Sequence, residues 1–195
     1  MSLYELLLFL HIMAAVIWIG SGTLLNIQAF RADAARDHEG LRRVAADAAG
    51  LAEVLFIPAA VAVLVLGILL TIEGPWSFDE LWIALGLVGI AATIATGIAV
   101  IKPRSEEIAE ILERHGTTPE AAVKIKQLVT IGRIDLTVLY LAVADMAVKP
   151  TGDDVGVLVG MALIVAAAVI FFISRARAAE QSGAGRPQPG TSAPF

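Results

Sequence analysis

Residues 4–29 read YELLLFLHIMAAVIWIGSGTLLNIQA, from Tyr4 to Ala29, and this stretch decides the fold. It opens with one acid, Glu5, carries one imidazole, His11, and then has no ionisable group as far as Ala29. A hydrocarbon core of about 30 Å takes roughly 20 residues of helix to cross, so the run is long enough to span. Its apolar residues are continuous rather than alternating, which excludes a barrel strand. A helix satisfies every backbone polar group within the segment itself. No Lys or Arg precedes Arg31 and no small-residue cleavage site closes the run. The segment is therefore expected to persist as a span rather than to be removed as a signal peptide.

Four further runs of the same kind lie downstream: Glu53 to Ile72, Glu80 to Ile101, Lys126 to Val148 and Val155 to Ser174. Composition agrees, with 57% hydrophobic and 17% charged residues and a mean hydropathy of +0.79, against about 45–50% and about 25% in soluble domains. The fold expected is all-α, a polytopic bundle of five transmembrane helices. The absence of cysteine excludes disulfides, thiolate metal sites and cysteine nucleophiles. A net charge of −5 excludes nucleic acid as the natural partner, because no basic stripe is left to neutralise phosphates. The lipid bilayer is the partner that composition requires.

Twelve of the fourteen Lys and Arg residues fall in the first connection, the third connection and the C-terminal tail. Positive loops stay on the cytoplasmic side, which predicts an outside N-terminus, an inside C-terminus and residence in the bacterial cytoplasmic (inner) membrane. Residues 1–179 form the expected transmembrane domain, with two cytoplasmic helical connections at 31–52 and 102–125. Asp33 to Gly50 reads as an extension of the first span. In Arg104 to His115, Ile108, Ile111 and Leu112 recur at helical spacing, and Gly116 follows as a C-terminal cap. Thr118, Pro119 and Glu120 read as N-cap, first helical position and first-turn acid of a helix of about 30 residues that runs into the fourth span. Pro58 is expected to kink the second span. Gly- and Pro-rich residues 180–195 read as a disordered tail.

Ionisable side chains inside a bilayer are costly enough to mark functional candidates. An inner polar cluster is expected from Asn26, Glu53, Arg133 and Asp135, with Glu53 as the ion-pair partner of Arg133, while Asp145 lies in the outer half with His11. Positions 11, 15, 18, 22 and 25 share one helix face, so His11, Trp18 and Gly22 look the same way. A neutral imidazole is a ligand for haem iron or another metal, and Met161 or Met146 is a soft second ligand at matching depth. The plainer alternative is a hydrogen bond between His11 and Asp145. Gly156 and Gly160 form a GxxxG pair, a candidate homodimer seam, and Gly89, Thr93 and Gly97 form a small-residue stripe read as an internal contact.

The stretch from Leu10 to Gly20 (LHIMAAVIWIG), with Gly132-Arg133-Ile134-Asp135-Leu136 and Ala144-Asp145-Met146 before Lys149-Pro150, resembles a bacterial family of predicted integral membrane proteins designated DUF2269. The likeness covers most of the chain. More distantly, the first-helix pattern is similar to that of copper-resistance D proteins and haem-dependent protoporphyrinogen oxidases of membranes. That resemblance implies His11 as the position of a haem ligand.

Three functions follow as expectations. The first is a membrane protein of unknown activity that binds haem b or a metal through His11; the second is a small proton-coupled transporter using Asp145, His11, Arg133 and Asp135. The third is a non-catalytic membrane partner protein that docks through its cytoplasmic helices. No Walker loop, nucleophile elbow or HExxH is present. An enzyme is the lesser expectation, and it would be a haem-dependent membrane oxidoreductase.

Overall fold

The computed structural model describes residues 2–116 and 118–184. These form helices joined by short turns, with no strand among the described residues. In order they are α1 (Leu3–Ala34), α2 (His38–Leu51), α3 (Ile57–Glu73), α4 (Leu81–Thr96), α5 (Lys102–His115), α6 (Pro119–Val148) and α7 (Val155–Ala184). One end of the bundle carries the connector helices α2 and α5. The other carries Trp76 and Trp82.

Helix α1 starts on a complete capping box. Ser2 accepts from the Glu5 N–H at 3.2 Å, and the Glu5 carboxylate accepts from the Ser2 N–H at 2.7 Å. The helix then runs to Ala34 and stops. Arg36 takes a left-handed φ of 53°, Asp37 caps the next helix by accepting from the Gly40 N–H at 2.8 Å, and α2 folds back along α1. The expected extension of the first span is thus replaced by a turn. Helix α2 instead leads into α3 through the π-helical turn Ala52–Phe56, and α4 leads into α5 through a second one, Gly97–Ile101.

Each π turn has a proline just beyond it. Pro58 and Pro103 lack the N–H that would bond four residues back, and their rings would clash with the carbonyls of Val54 and Ala99. Both carbonyls lie inside the widened turns, where the Ile57 N–H reaches Ala52 and the Lys102 N–H reaches Gly97, five residues back in each case. Pro58 thus follows a π turn, and α2 runs into α3 as one continuous helical stretch, His38–Glu73.

Among the described residues, four helical stretches are long and apolar enough to cross a membrane: Leu3–Ala34, His38–Glu73, Leu81–His115 and Val155–Arg175. Helix α6 is not among them; it carries Arg133, Asp135 and Asp145. It is also the helix that α1, α2, α4, α5 and α7 all pack against, so much of its polar surface faces protein. Large apolar residues such as Phe9, Val16, Val88, Leu163 and Ile170 are exposed on the outside of the bundle, as lipid contact requires.

Two apolar cores hold the helices. Trp18, Ala59, Ala60, Val63, Ile90 and Leu139 meet in the middle of the bundle. Ala29, Leu41, Val44, Ile108 and Ile125 join α1, α2, α5 and α6 at the connector end. As expected, Gly116 caps α5 with a left-handed φ of 68°, and Thr118 caps α6 by accepting from the Ala121 N–H. Helix α7 continues to Ala184, into the expected tail, and residues 185–195 lie outside the described residues.

Candidate functional site

At the tryptophan end, α1, α3, α4 and α6 enclose a cavity of about 300 Å³. Its residues come from one face of each helix: His11 and Trp18 from α1, Val63 and Gly67 from α3, Gly86 from α4, Met146 from α6. Contacts between α3 and α4 are sparse compared with those of α1 with α3 or α4 with α6. The cavity is therefore least tightly walled where those two helices face each other.

His11 is buried in this wall at 8% exposure. The ring lies near the Val63 carbonyl, and Nδ1 has no hydrogen-bond partner among the described residues. In the neutral tautomer protonated at Nε2, Nδ1 is an acceptor. Gly67, one turn further along α3, stands against the same ring. A Cβ built there would lie 3.3 Å from Cε1 and 3.7 Å from Nδ1. Glycine thus keeps the space beside the free nitrogen open.

The mouth of the cavity is aromatic and charged. Trp76 and Trp82 pack edge to face with centroids 5.2 Å apart, and the Lys149 ammonium lies 3.6 Å from the Trp76 centroid and 5.2 Å from that of Trp82. Trp76 donates to the Tyr4 hydroxyl at 3.3 Å. The turn that presents Trp76 needs Gly74, where a Cβ would come within 2.8 Å of both Trp76 Cδ1 and Tyr4 Cε2.

The expected site residues are sorted by this arrangement. His11 and Trp18 line the cavity; Gly22 does not, and packs on Leu136 of α6. Met161 lies on α7 away from it, and Met146 is the methionine in the wall. Asp145 is buried beside Gly86 with neither carboxylate oxygen hydrogen-bonded among the described residues, so the bond expected with His11 is not formed. The inner cluster also disperses. Glu53 is exposed and makes no ion pair with Arg133, Asn26 donates to the Gly22 carbonyl of its own helix, and Asp135 faces Thr93 of α4. Gly89 meets Val138 and Ala142 of α6, the internal contact expected of the third-span stripe, whereas Gly156 and Gly160 face open space. Gly67, Trp82 and Lys149 were not anticipated at the site. A glycine inside an apolar run is the only sequence signal at Gly67, and it does not say which face the residue occupies.

The family model for a predicted integral membrane protein, DUF2269, matches residues 5–150. The chain belongs to this family. No match was found among curated proteins or among solved structures. The matched span of this DUF2269 chain includes every cavity residue named above except Tyr4, from His11 to Lys149.

Whether the residues suit a haem can be judged from the donor set. A neutral imidazole with an unpartnered ring nitrogen can ligate a metal through that nitrogen. No cluster of three or more His, Cys, Asp or Glu able to hold a bare metal ion occurs among the described residues. The donor set would thus supply one nitrogen ligand, from His11, to a group that brings its remaining ligands with it. The volume, at the lower end of the roughly 300–1,000 Å³ of ligand cavities, fits a smaller ring system better than a tetrapyrrole.

Proposed function

We propose that this DUF2269 protein is a membrane-embedded binding protein that holds a lipophilic, ring-bearing molecule in the tryptophan-end cavity, with His11 as its polar anchor. The observation that carries the reading is the free Nδ1 of a buried imidazole in an apolar cavity. Such a nitrogen seeks either an iron centre or a hydroxyl proton. Haem b is the member of the class implied by the resemblance of the first helix to haem-dependent oxidases. Bound there, it would supply redox chemistry, while His11 orients it and Trp18 and Trp82 exclude water. The cavity volume favours a smaller hydroxyl-bearing ring, such as a reduced quinone headgroup entering from the bilayer between α3 and α4.

The proposed setting is a cytoplasmic (inner) bacterial membrane crossed five times, α6 being the fourth span in chain order, with the tryptophan end outside. The grouping of Lys and Arg at the connector end supports it. The open faces of Gly156 and Gly160 support a homodimer seam on α7. A proton path gains less support, because Asp135 and Asp145 are ten residues apart on one helix, about 15 Å, and no hydrogen bond bridges them.

The test is to purify the protein in mild detergent, record its visible spectrum, and extract and weigh co-purifying small molecules. A haem spectrum, or an extractable ring compound, that disappears in His11→Ala supports the proposal. A colourless protein that retains the same extractable molecules with and without His11 overturns it.

A further inference from the structure

A second cavity, of about 750 Å³, opens at the connector end, and none of its lining residues is shared with the first. The Trp18–Leu139 core lies between them. Three of its lining groups are permanently basic: Lys126, Arg133 and Arg175. Asp33 is the one carboxylate in the lining, and it is taken by Lys126 at 3.0 Å. Among the described residues neither Arg133 nor Arg175 is in an ion pair.

Arg133 is the more demanding of the two. Its Nη2 is buried and has no hydrogen-bond partner among the described residues, and the guanidinium carbon lies 6.0 Å from the Phe172 centroid. Arg175 sits over Phe171 at 5.5 Å. A buried guanidinium donor left unmet is costly, and the cost is removed when an anion accepts from it. Guanidinium forks match the oxygens of phosphate, two donors at a time. Beside these charges the wall turns apolar and outward, through Phe30 at 59% and Phe171 at 52% exposure. A bound anion would therefore have hydrocarbon against it on the lipid-facing side.

We infer that the connector-end cavity binds a phosphate-bearing anion between Arg133 and Arg175, with an attached apolar chain lying along Phe30 and Phe171. The chemistry is that of an anionic phospholipid headgroup, and a soluble phosphate compound shares its polar half. The site is independent of the ligand at His11.

The experiment uses the full chain in nanodiscs that hold phosphatidylcholine and phosphatidylglycerol in equal amounts, released into mild detergent for native mass spectrometry. Preferential retention of phosphatidylglycerol is expected, with a loss of roughly tenfold or more in Arg133→Gln/Arg175→Gln and partial recovery in Arg133→Lys/Arg175→Lys. Circular dichroism checks that each variant folds. Should removal of Arg133 unfold the chain, Arg175→Gln alone carries the comparison, since Arg175 lies on the exposed side. Equal retention of both lipids, or unchanged retention in a folded Gln variant, overturns the inference. Displacement of the lipid by millimolar inorganic phosphate would place the natural ligand among soluble phosphates and overturn the lipid half of it.

Discussion

The imidazole of His11 on α1 stands against the bare backbone of Gly67 on α3, close enough that a methyl group at 67 would lie 3.3 Å from Cε1 and 3.7 Å from Nδ1. Gly67→Ala therefore has two opposed effects. Alanine favours an α-helix by about 1 kcal/mol over glycine, and this offsets the slight crowding of the ring. The same methyl group occupies the space that a ligand of Nδ1 needs. Gly67→Ala is expected to unfold at the wild-type temperature or slightly above and yet to lose the bound molecule as His11→Ala does. Equal ligand occupancy in Gly67→Ala and wild type, read from the spectrum or the extract, would remove Nδ1 from the site.

Lys149 closes the same cavity at some conformational cost. It ends α6 in the left-handed region, φ 52°, with its N–H on the Asp145 carbonyl at 2.7 Å, and a non-glycine residue there costs roughly 1–2 kcal/mol. Its ammonium over Trp76 returns about 0.5–2 kcal/mol. Lys149→Met keeps the strained backbone and loses the cation, so it should destabilise by about 1 kcal/mol. Lys149→Gly loses both and should stay near wild type. Thermal unfolding followed by tryptophan fluorescence separates the two, and a Met variant as stable as wild type would show that the ring contact contributes nothing.

The helices were legible in the sequence wherever one physical signal dominated. Continuous apolar runs marked α1, α3, α4 and α7, and the Gly116, Thr118 and Pro119 sequence marked the α5–α6 turn. The break after Ala34 was not legible, because Ala-rich sequence continues on both sides and no glycine or proline falls between Gln28 and Glu39. Asp37, as the N-cap of α2, was the one usable sign. At the site, helical spacing put His11 and Trp18 on one face of α1, and depth put Met146 and Met161 at similar heights. Depth does not choose between neighbouring helices, and packing placed Met146 in the cavity. Charge pairing misled for the same reason. Glu53 complements Arg133 in sign, yet α2 folds back on α1 and the carboxylate nearest Arg133 in the lining is Asp33.

Acid should loosen the turn before α7. Asp154 accepts from both the N–H and the hydroxyl of Thr151 at 2.8 Å, and these bonds hold its carboxyl below its ordinary value of 3.8. A depressed carboxyl stabilises the fold above the unfolded value and loses that contribution as pH falls through the folded one. Asp154→Asn should therefore lower the unfolding temperature at about pH 6, and the difference from wild type should shrink as pH falls below 3.8. A difference between the two proteins that stays constant across this range would show that the charge of Asp154 is not what holds the turn.

The connector-end core should be the most sensitive part of the molecule to truncation. Between spans, burial gains little from the hydrophobic effect, because lipid is as apolar as leucine. The connector helices have water as their alternative, so Leu41 and Ile125, at 2% and 1% exposure, carry the full transfer energy. Leu41→Ala is expected to cost about 2–5 kcal/mol locally, releasing α2 and α5 from α6. A truncation of similar size at a lipid-facing residue such as Leu163 should cost far less. Limited proteolysis reads the difference: cleavage near Arg36 and near Arg114 should accelerate in Leu41→Ala but not in Leu163→Ala, while the ligand at His11 stays bound in both. Cleavage that accelerates equally in the two variants would mean that the connector end is held by the spans and not by its own core.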